Sequence, residues 1–233
     1  MGLSMADAEP RLVIFDCDGV LVDSEPISIN VLVGAMNDLG VSITEDQAYE
    51  RFLGRSLSTL IDTLETEFNV HAGEEFLERI RTDLYTRFRT ELKPIEGIAA
   101  TIDGLGVRCC VASSSQMERI RLSLSVTGLL GKLPDIFSAT MVKRGKPAPD
   151  LFLHAAREMQ VAPAHCIVVE DSPAGIAAAK AAGMTVFAFT GGSHANFAGY
   201  RAELDRLSPE AVFDAMPDLI HLVRNHKLDG TKI

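Results

Sequence analysis

Cationic side chains are in short supply in this sequence: 22 lysines and arginines stand against 32 aspartates and glutamates, a formal net charge of -10. Such a field repels polyanions, and no basic stripe offsets it, so a nucleic-acid partner is not expected. A small anionic ligand is still compatible, since a metal and a few cations can act locally. Cysteine is equally sparse. Cys17, Cys109, Cys110 and Cys166 lie in or beside apolar strand-like runs, with neither the CxxC spacing of a zinc site nor a disulfide framework. Buried free thiols in a reducing compartment are the expectation. The six histidines are scattered, none at metal-ligand spacing. No apolar run approaches the roughly 18 residues of a membrane span. The opening MGLSMADAEP is acidic and lacks the apolar segment of a secretory signal. A cytoplasmic setting and a small-molecule partner, with no membrane and no nucleic acid, are what these absences leave. The acidic surface suits a monomer without requiring one, so oligomeric state stays open.

Apolar residues, by contrast, make up 47% of the 233 positions, enough for a real core: one large domain, or a core domain with a modest insertion. The run Leu12-Val13-Ile14-Phe15 has the length and β-branched content of a buried strand and ends at Asp16, Cys17, Asp18 and Gly19. After Pro26 the apolar period lengthens. Ile27, Val31, Ala35 and Leu39 predict a helix closed by Gly40, and Thr44 to Gln47 reads as a capping box. Two further stripes run through Leu57, Leu60, Ile61, Leu64 and Phe68, and through Phe76, Ile80, Leu84 and Phe88. Helices therefore fill the stretch to about residue 91. From Pro94 strands and helices alternate. Strands are predicted at Val107–Ala112, around Phe137, at Cys166–Val169, at Met184–Phe189 and at Ala211–Phe213, with Ser172-Pro173 opening an alanine-rich helix that Gly183 closes. That alternation implies α/β architecture, a parallel sheet covered on both faces.

In such a sheet, Asp16 and Asp18, Ser113 to Ser115, Lys146, and Glu170 with Asp171 all close strands or follow them. Each has an ordinary reading: Asp-Cys-Asp-Gly as a turn, Ser115 as a helix cap, Lys146 as a solvated loop residue, Asp171 as a cap. Together they would bring four carboxylates, a lysine and a hydroxyl to one sheet edge, where open parallel sheets place ligands. Four acids so close need a cation, and an all-oxygen set suits Mg²⁺, which keeps waters and accepts phosphate oxygens. Asp16 at the strand tip is the natural nucleophile toward phosphorus. Asp18 would protonate the leaving oxygen and then activate water. Ser113 and the amide of Ser114 would hold phosphate oxygens at a helix N-terminus. Lys146 and the metal would neutralise charge on the transferring group. Asp171 would bind the metal directly, and Glu170 directly or through its waters.

DCDGVLVDSEP, VASSS, GKPAPD and VVEDSPAGI, in this order and spacing across residues 11–190, resemble the haloacid dehalogenase-like superfamily, in particular its sugar-phosphatase and β-phosphoglucomutase-like branch. The resemblance implies a Rossmann-like catalytic core of residues 1–24 and 92–233 and a helical cap of residues 25–91 inserted after the first strand. It implies Mg²⁺-dependent phosphoryl transfer through an aspartyl-phosphate on Asp16. The metal would then be held by the Asp16 side chain, the Asp18 backbone carbonyl and Asp171.

β-Phosphoglucomutases of this superfamily carry a cap histidine and a cap arginine where this chain has Ser28 and Leu57, and a lysine-glycine pair where it has Leu53-Gly54. Without that clamp for a second phosphate, hydrolysis of small phosphomonoesters, of the sugar or polyol class, is expected ahead of a mutase reaction. A non-catalytic phosphometabolite-binding module is the reading of another class. Asp18 argues against a dehalogenase, which lacks the second aspartate. Arg51 and Arg55 in RFLGRSLS are candidates for addressing the leaving group, or are simply solvated. Gln116 is a further substrate candidate, and the TGGSH stretch, Thr190 to His194, either borders the site or forms a turn.

Overall fold

The computed structural model describes residues 12–52, 57–196 and 200–226. The chain divides into two compact units: one runs up to Asp23 and resumes at Pro94, the other is Ser24–Lys93. In chain order, β1 (Leu12–Phe15) precedes helices α1 (Glu25–Asp38), α2 (Glu45–Phe52), α3 (Leu57–Phe68) and α4 (Glu74–Glu91). Then come α5 (Ile98–Leu105), β2 (Arg108–Ser113), α6 (Met117–Val126), β3 (Ile136–Ser138), α7 (Asp150–Glu158), β4 (Cys166–Glu170) and α8 (Pro173–Ala181). The chain continues through β5 (Thr185–Phe189), α9 (Tyr200–Arg206), β6 (Ala211–Phe213) and α10 (Asp218–Asn225).

In the first unit the six strands form one sheet, all parallel, in the order β3-β2-β1-β4-β5-β6. Every residue of β1 is fully buried, as a central strand covered on both faces must be. The helices α7 and α8 pack side by side, α7 over β1, β2 and β3, and α8 over β4 and β5, while α5 pairs with α10. The chain travels outward from β1 to β2 and β3, then returns to β4 on the far side of β1. The strand order reverses there, and that reversal opens a crevice beyond the C-terminal strand ends. Phe15 is in register with Val111 on one side and Val169 on the other, so the tips of β1, β2 and β4 come out together.

The local signals read from sequence recur as geometry. In α8, Ser172 accepts from the Gly175 amide at 3.0 Å, Pro173 occupies the first turn, and Gly183 takes a left-handed φ of 69° while Met184 bonds back to Ala179. The helix α9 was not foreseen; the sequence predicted only a loop after β5. The four cysteines are free thiols, and burial pushes Cys109 and Cys166 up to about 12.

The regular elements of the second unit, among its described residues, are all helices. Its core joins α1 to α4 and α2, with Ile27, Val31 and Ala35 from one side and Phe76, Ile80, Leu84 and Phe88 from the other, all buried. Thr44 and Gln47 exchange backbone-to-side-chain bonds of 3.0 and 3.2 Å, the reciprocal capping box expected at the start of α2. Gly40, at φ 79°, closes α1 with Val41 bonded to the Met36 carbonyl.

Candidate active site

The crevice beyond β1, β2 and β4 gathers the acidic side chains. Asp16 follows directly on β1, its amide bonded to the Val169 carbonyl at 3.0 Å, which locks the strand tip against β4. Lys146, from the loop before α7, sends its ammonium into the crevice with a side chain only 3% exposed. It donates to Asp16 Oδ1 at 2.5 Å, Glu170 Oε1 at 2.6 Å and the Ala112 carbonyl at 3.1 Å, above the Phe152 ring at 4.8 Å. Three donors meet three acceptors. The solvated-loop reading of Lys146 is thereby removed. Burial opposes its charge, but Asp16 and Glu170 hold its pKa above that of an ordinary lysine.

Glu170 is completely buried. Its second oxygen accepts from the amides of Asp171 and Ser172 at 2.9 and 2.8 Å and from the Ser172 hydroxyl at 2.9 Å. An acid at the start of α8 is also favoured by the helix dipole. With both oxygens so engaged, Glu170 fixes Lys146 and the α8 terminus. Gly175 makes room for it, because a Cβ there would fall on the Glu170 carboxylate.

Asp18 turns toward β2. It accepts from Ser115 Oγ at 2.7 Å and from Arg119 Nη2 at 2.8 Å. Ser115 is therefore not a helix cap; Gln116 holds the cap position of α6, exposed and with no capping bond from its side chain. Ser113 is buried and its Oγ accepts from the Ser115 amide at 3.1 Å, which shapes the turn and leaves its hydroxyl proton to donate. Ser114 is exposed at the same turn.

Asp171, at the end of β4, meets residues from beyond β5. His194 Nε2 lies 2.9 Å from its Oδ2, and the Tyr200 hydroxyl donates to its backbone carbonyl. Burial raises the Asp171 pKa against the pull of His194. Burial likewise drives Asp16 well up, with Glu170, Asp171 and Asp18 adding to it and Lys146 opposing. Two acids whose ionisation is disfavoured by burial and by neighbouring acids form an oxygen-donor site short of positive charge, and that fits a hard divalent cation. Among the described residues no three acidic, histidine or cysteine side chains already surround a common point; Lys146 bridges Asp16 and Glu170, Arg119 pairs with Asp18, and His194 faces Asp171.

The structure thus brings Asp16, Asp18, Ser113, Ser114, Lys146, Glu170 and Asp171 to one end of one sheet. Arg51 belongs to the helical unit, where it pairs with Glu67 and lies over the Phe68 ring at 5.4 Å. Arg55, Leu53 and Gly54 fall outside the described residues. Sequence reasoning missed Arg119, one helical turn past Ser115 and so able to share its face. It also missed Tyr200, for which no local signal exists.

The family model described as haloacid dehalogenase-like hydrolase matches residues 13–189. The chain is 35% identical to the 6-phosphogluconate phosphatase of Escherichia coli K12 over 184 residues, 78% of this chain and 83% of that one. Among solved structures, a haloacid dehalogenase-like protein of unknown function from Agrobacterium tumefaciens shares 35% identity at a TM-score of 0.81, covering 91% of this chain and 97% of that one. A HAD family hydrolase from Deinococcus radiodurans, crystallised with phosphate and sodium, shares 32% at 0.74, covering 91% and 94%.

Proposed function

This chain belongs to the haloacid dehalogenase-like hydrolase family, and from that premise we propose that the enzyme is a Mg²⁺-dependent phosphatase of small sugar, sugar-acid or polyol phosphates. The observation that carries the reading is Asp16: a carboxylate at the tip of the central strand, 2.5 Å from a buried lysine and among three further acids. Asp16, Asp171 and the Asp18 backbone carbonyl would hold the metal, with Glu170 acting through its water. When bound, Mg²⁺ supplies positive charge to the phosphoryl oxygens.

The residues then divide the work. Asp16 attacks phosphorus as the ester P–O bond breaks, giving an aspartyl-phosphate, and Asp18 gives its proton to the departing oxygen. Asp18, now ionised, takes a proton from water. The hydroxide attacks the same phosphorus, and the bond to Asp16 breaks to release phosphate. Ser113 and the Ser114 amide orient phosphoryl oxygens, and Lys146 counters their charge. For its proton-transfer role Asp18 leaves its contacts with Ser115 and Arg119 and takes up a proton from solvent before the first step.

Asp16→Asn should remove phosphate release while keeping the far-ultraviolet circular dichroism of the parent. The assay is a phosphate-release panel of 6-phosphogluconate, hexitol phosphates and β-glucose 1-phosphate, with and without EDTA. Turnover in the variant would remove Asp16 as nucleophile, and turnover in EDTA would remove the metal. Glucose 6-phosphate formed from β-glucose 1-phosphate would instead revive the mutase reading.

A further inference from the structure

The TGGSH stretch has a use that the phosphoryl-transfer scheme leaves unassigned. His194 is 1% exposed in its side chain, and its Nε2 faces Asp171 Oδ2 at 2.9 Å and the Tyr200 hydroxyl at 3.1 Å. Tyr200 in turn donates to the Asp171 backbone carbonyl, so both ends of this aspartate are gripped by one histidine-tyrosine pair. The tyrosine has spent its proton on that carbonyl. Nε2 therefore carries the hydrogen and donates to the carboxylate.

The surrounding backbone is built around the imidazole. A Cβ on Gly192 would come within 2.7 Å of His194 Cε1, and one on Gly19, beside Asp18, would strike both that carbon and the Asp171 carboxylate. Gly19 also has a φ of 81°, which side chains rarely adopt. The Tyr200 ring stands edge-on to the imidazole at 5.2 Å and 84°. One end of the stretch is tied down as well: the Ser193 amide donates to Asp23 Oδ1 at 3.2 Å. Two glycines from distant parts of the chain thus keep open a slot for one ring, and that ring holds one carboxylate oxygen.

We propose that His194 is a positioning residue for metal binding: it orients the Asp171 carboxylate by a fixed N–H donor, with Tyr200 bracing both. The proposal rests on the reading of Asp171 as a ligand of Mg²⁺. A ligating carboxylate that is held by a hydrogen bond loses less freedom when the cation arrives, and removing such a partner typically weakens metal affinity about 10–100-fold.

The test measures Mn²⁺ binding to the full-length protein by electron paramagnetic resonance, a readout independent of turnover, alongside the Mg²⁺ concentration giving half-maximal phosphate release. His194→Phe fills the slot without a donor, while His194→Gln offers an amide N–H at the ε position. The expected result is a dissociation constant raised about 10–100-fold in His194→Phe and largely recovered in His194→Gln, with half-saturating Mg²⁺ shifted more than kcat at saturating Mg²⁺. Wild-type affinity in His194→Phe, or affinity in His194→Gln as poor as in His194→Phe, overturns the proposal. Should His194→Phe fail to fold, Tyr200→Phe serves: it should weaken Mn²⁺ binding, and unchanged binding overturns the proposal equally. Asp171→Asn separates the two levels. If it binds Mn²⁺ like the parent, the metal reading falls and the role of His194 falls with it. If it loses Mn²⁺ while His194→Phe retains it, only the role of His194 falls.

Discussion

At the scale of single residues, Lys146 is the buried counter-charge that Asp16 and Glu170 share. Asp16 and Glu170 sit at 2.5 and 2.6 Å from its nitrogen, and all three side chains are nearly inaccessible to water. Removing one partner of a buried ionic group strands the others, at a cost of about 3–5 kcal/mol. Lys146→Met should therefore lower unfolding free energy by roughly that amount in urea titrations and cut kcat by about 10²-fold or more. A variant that loses activity with unchanged stability would mean that the acids find another counter-charge. The buried state of Lys146 could not be read from Gly145-Lys146-Pro147, because the acceptors that enclose it arrive from β1, β2 and β4, far away in sequence. For the same reason the sequence suggested a helix cap at Ser115 and not a partner for Asp18: a hydroxyl at a strand-to-helix turn serves either, and the choice is made by where β1 ends.

At the scale of elements, the start of α8 shows how local signals and tertiary demands share the same residues. Ser172, Pro173 and Gly183 announced this helix by rules that operate within a turn or two, which is why its limits were legible. Gly175 was silent in that reading. It is a poor helix former, retained at a place where any side chain would displace Glu170. Gly175→Ala should raise intrinsic helix propensity yet reduce kcat by about 10²-fold, since a displacement of about 1 Å at the Glu170–Lys146–Asp16 chain is enough. A kcat within error of the parent in steady-state assays would show that Glu170 can shift without moving Lys146. The helix α9 and its Tyr200 escaped sequence reading because a short helix of seven residues carries little periodic signal. What it contributes is a hydroxyl placed against a strand end formed 29 residues earlier.

At the scale of the whole molecule, the acidic crevice ties stability to pH and metal. Folding raises the Asp16 and Asp171 pKa values above their ordinary 3.8, through burial first and neighbouring acids after it. A carboxyl raised in this way adds stability that is fully present below its ordinary pKa and is lost as pH climbs through the raised value. A cation at the proposed site would bind the ionised forms and compete with the proton. Mg²⁺ should accordingly raise the melting temperature more at about pH 8 than at about pH 5.5, compared with EDTA at each pH by scanning calorimetry. An equal or reversed increment would show that the crevice is already ionised without metal. A last consequence lies in how the sheet-bearing unit is sutured where the helical unit departs and returns. Val22 bridges to Pro94, and the Leu21 carbonyl takes the Ile95 amide at 3.0 Å, so the two severed ends are already stitched to each other. Such a seam makes Ser24–Lys93 a detachable graft: a chimera with a few glycines across the gap should retain the parallel sheet by circular dichroism, and loss of that signal would show that the helical unit is needed to hold the sheet.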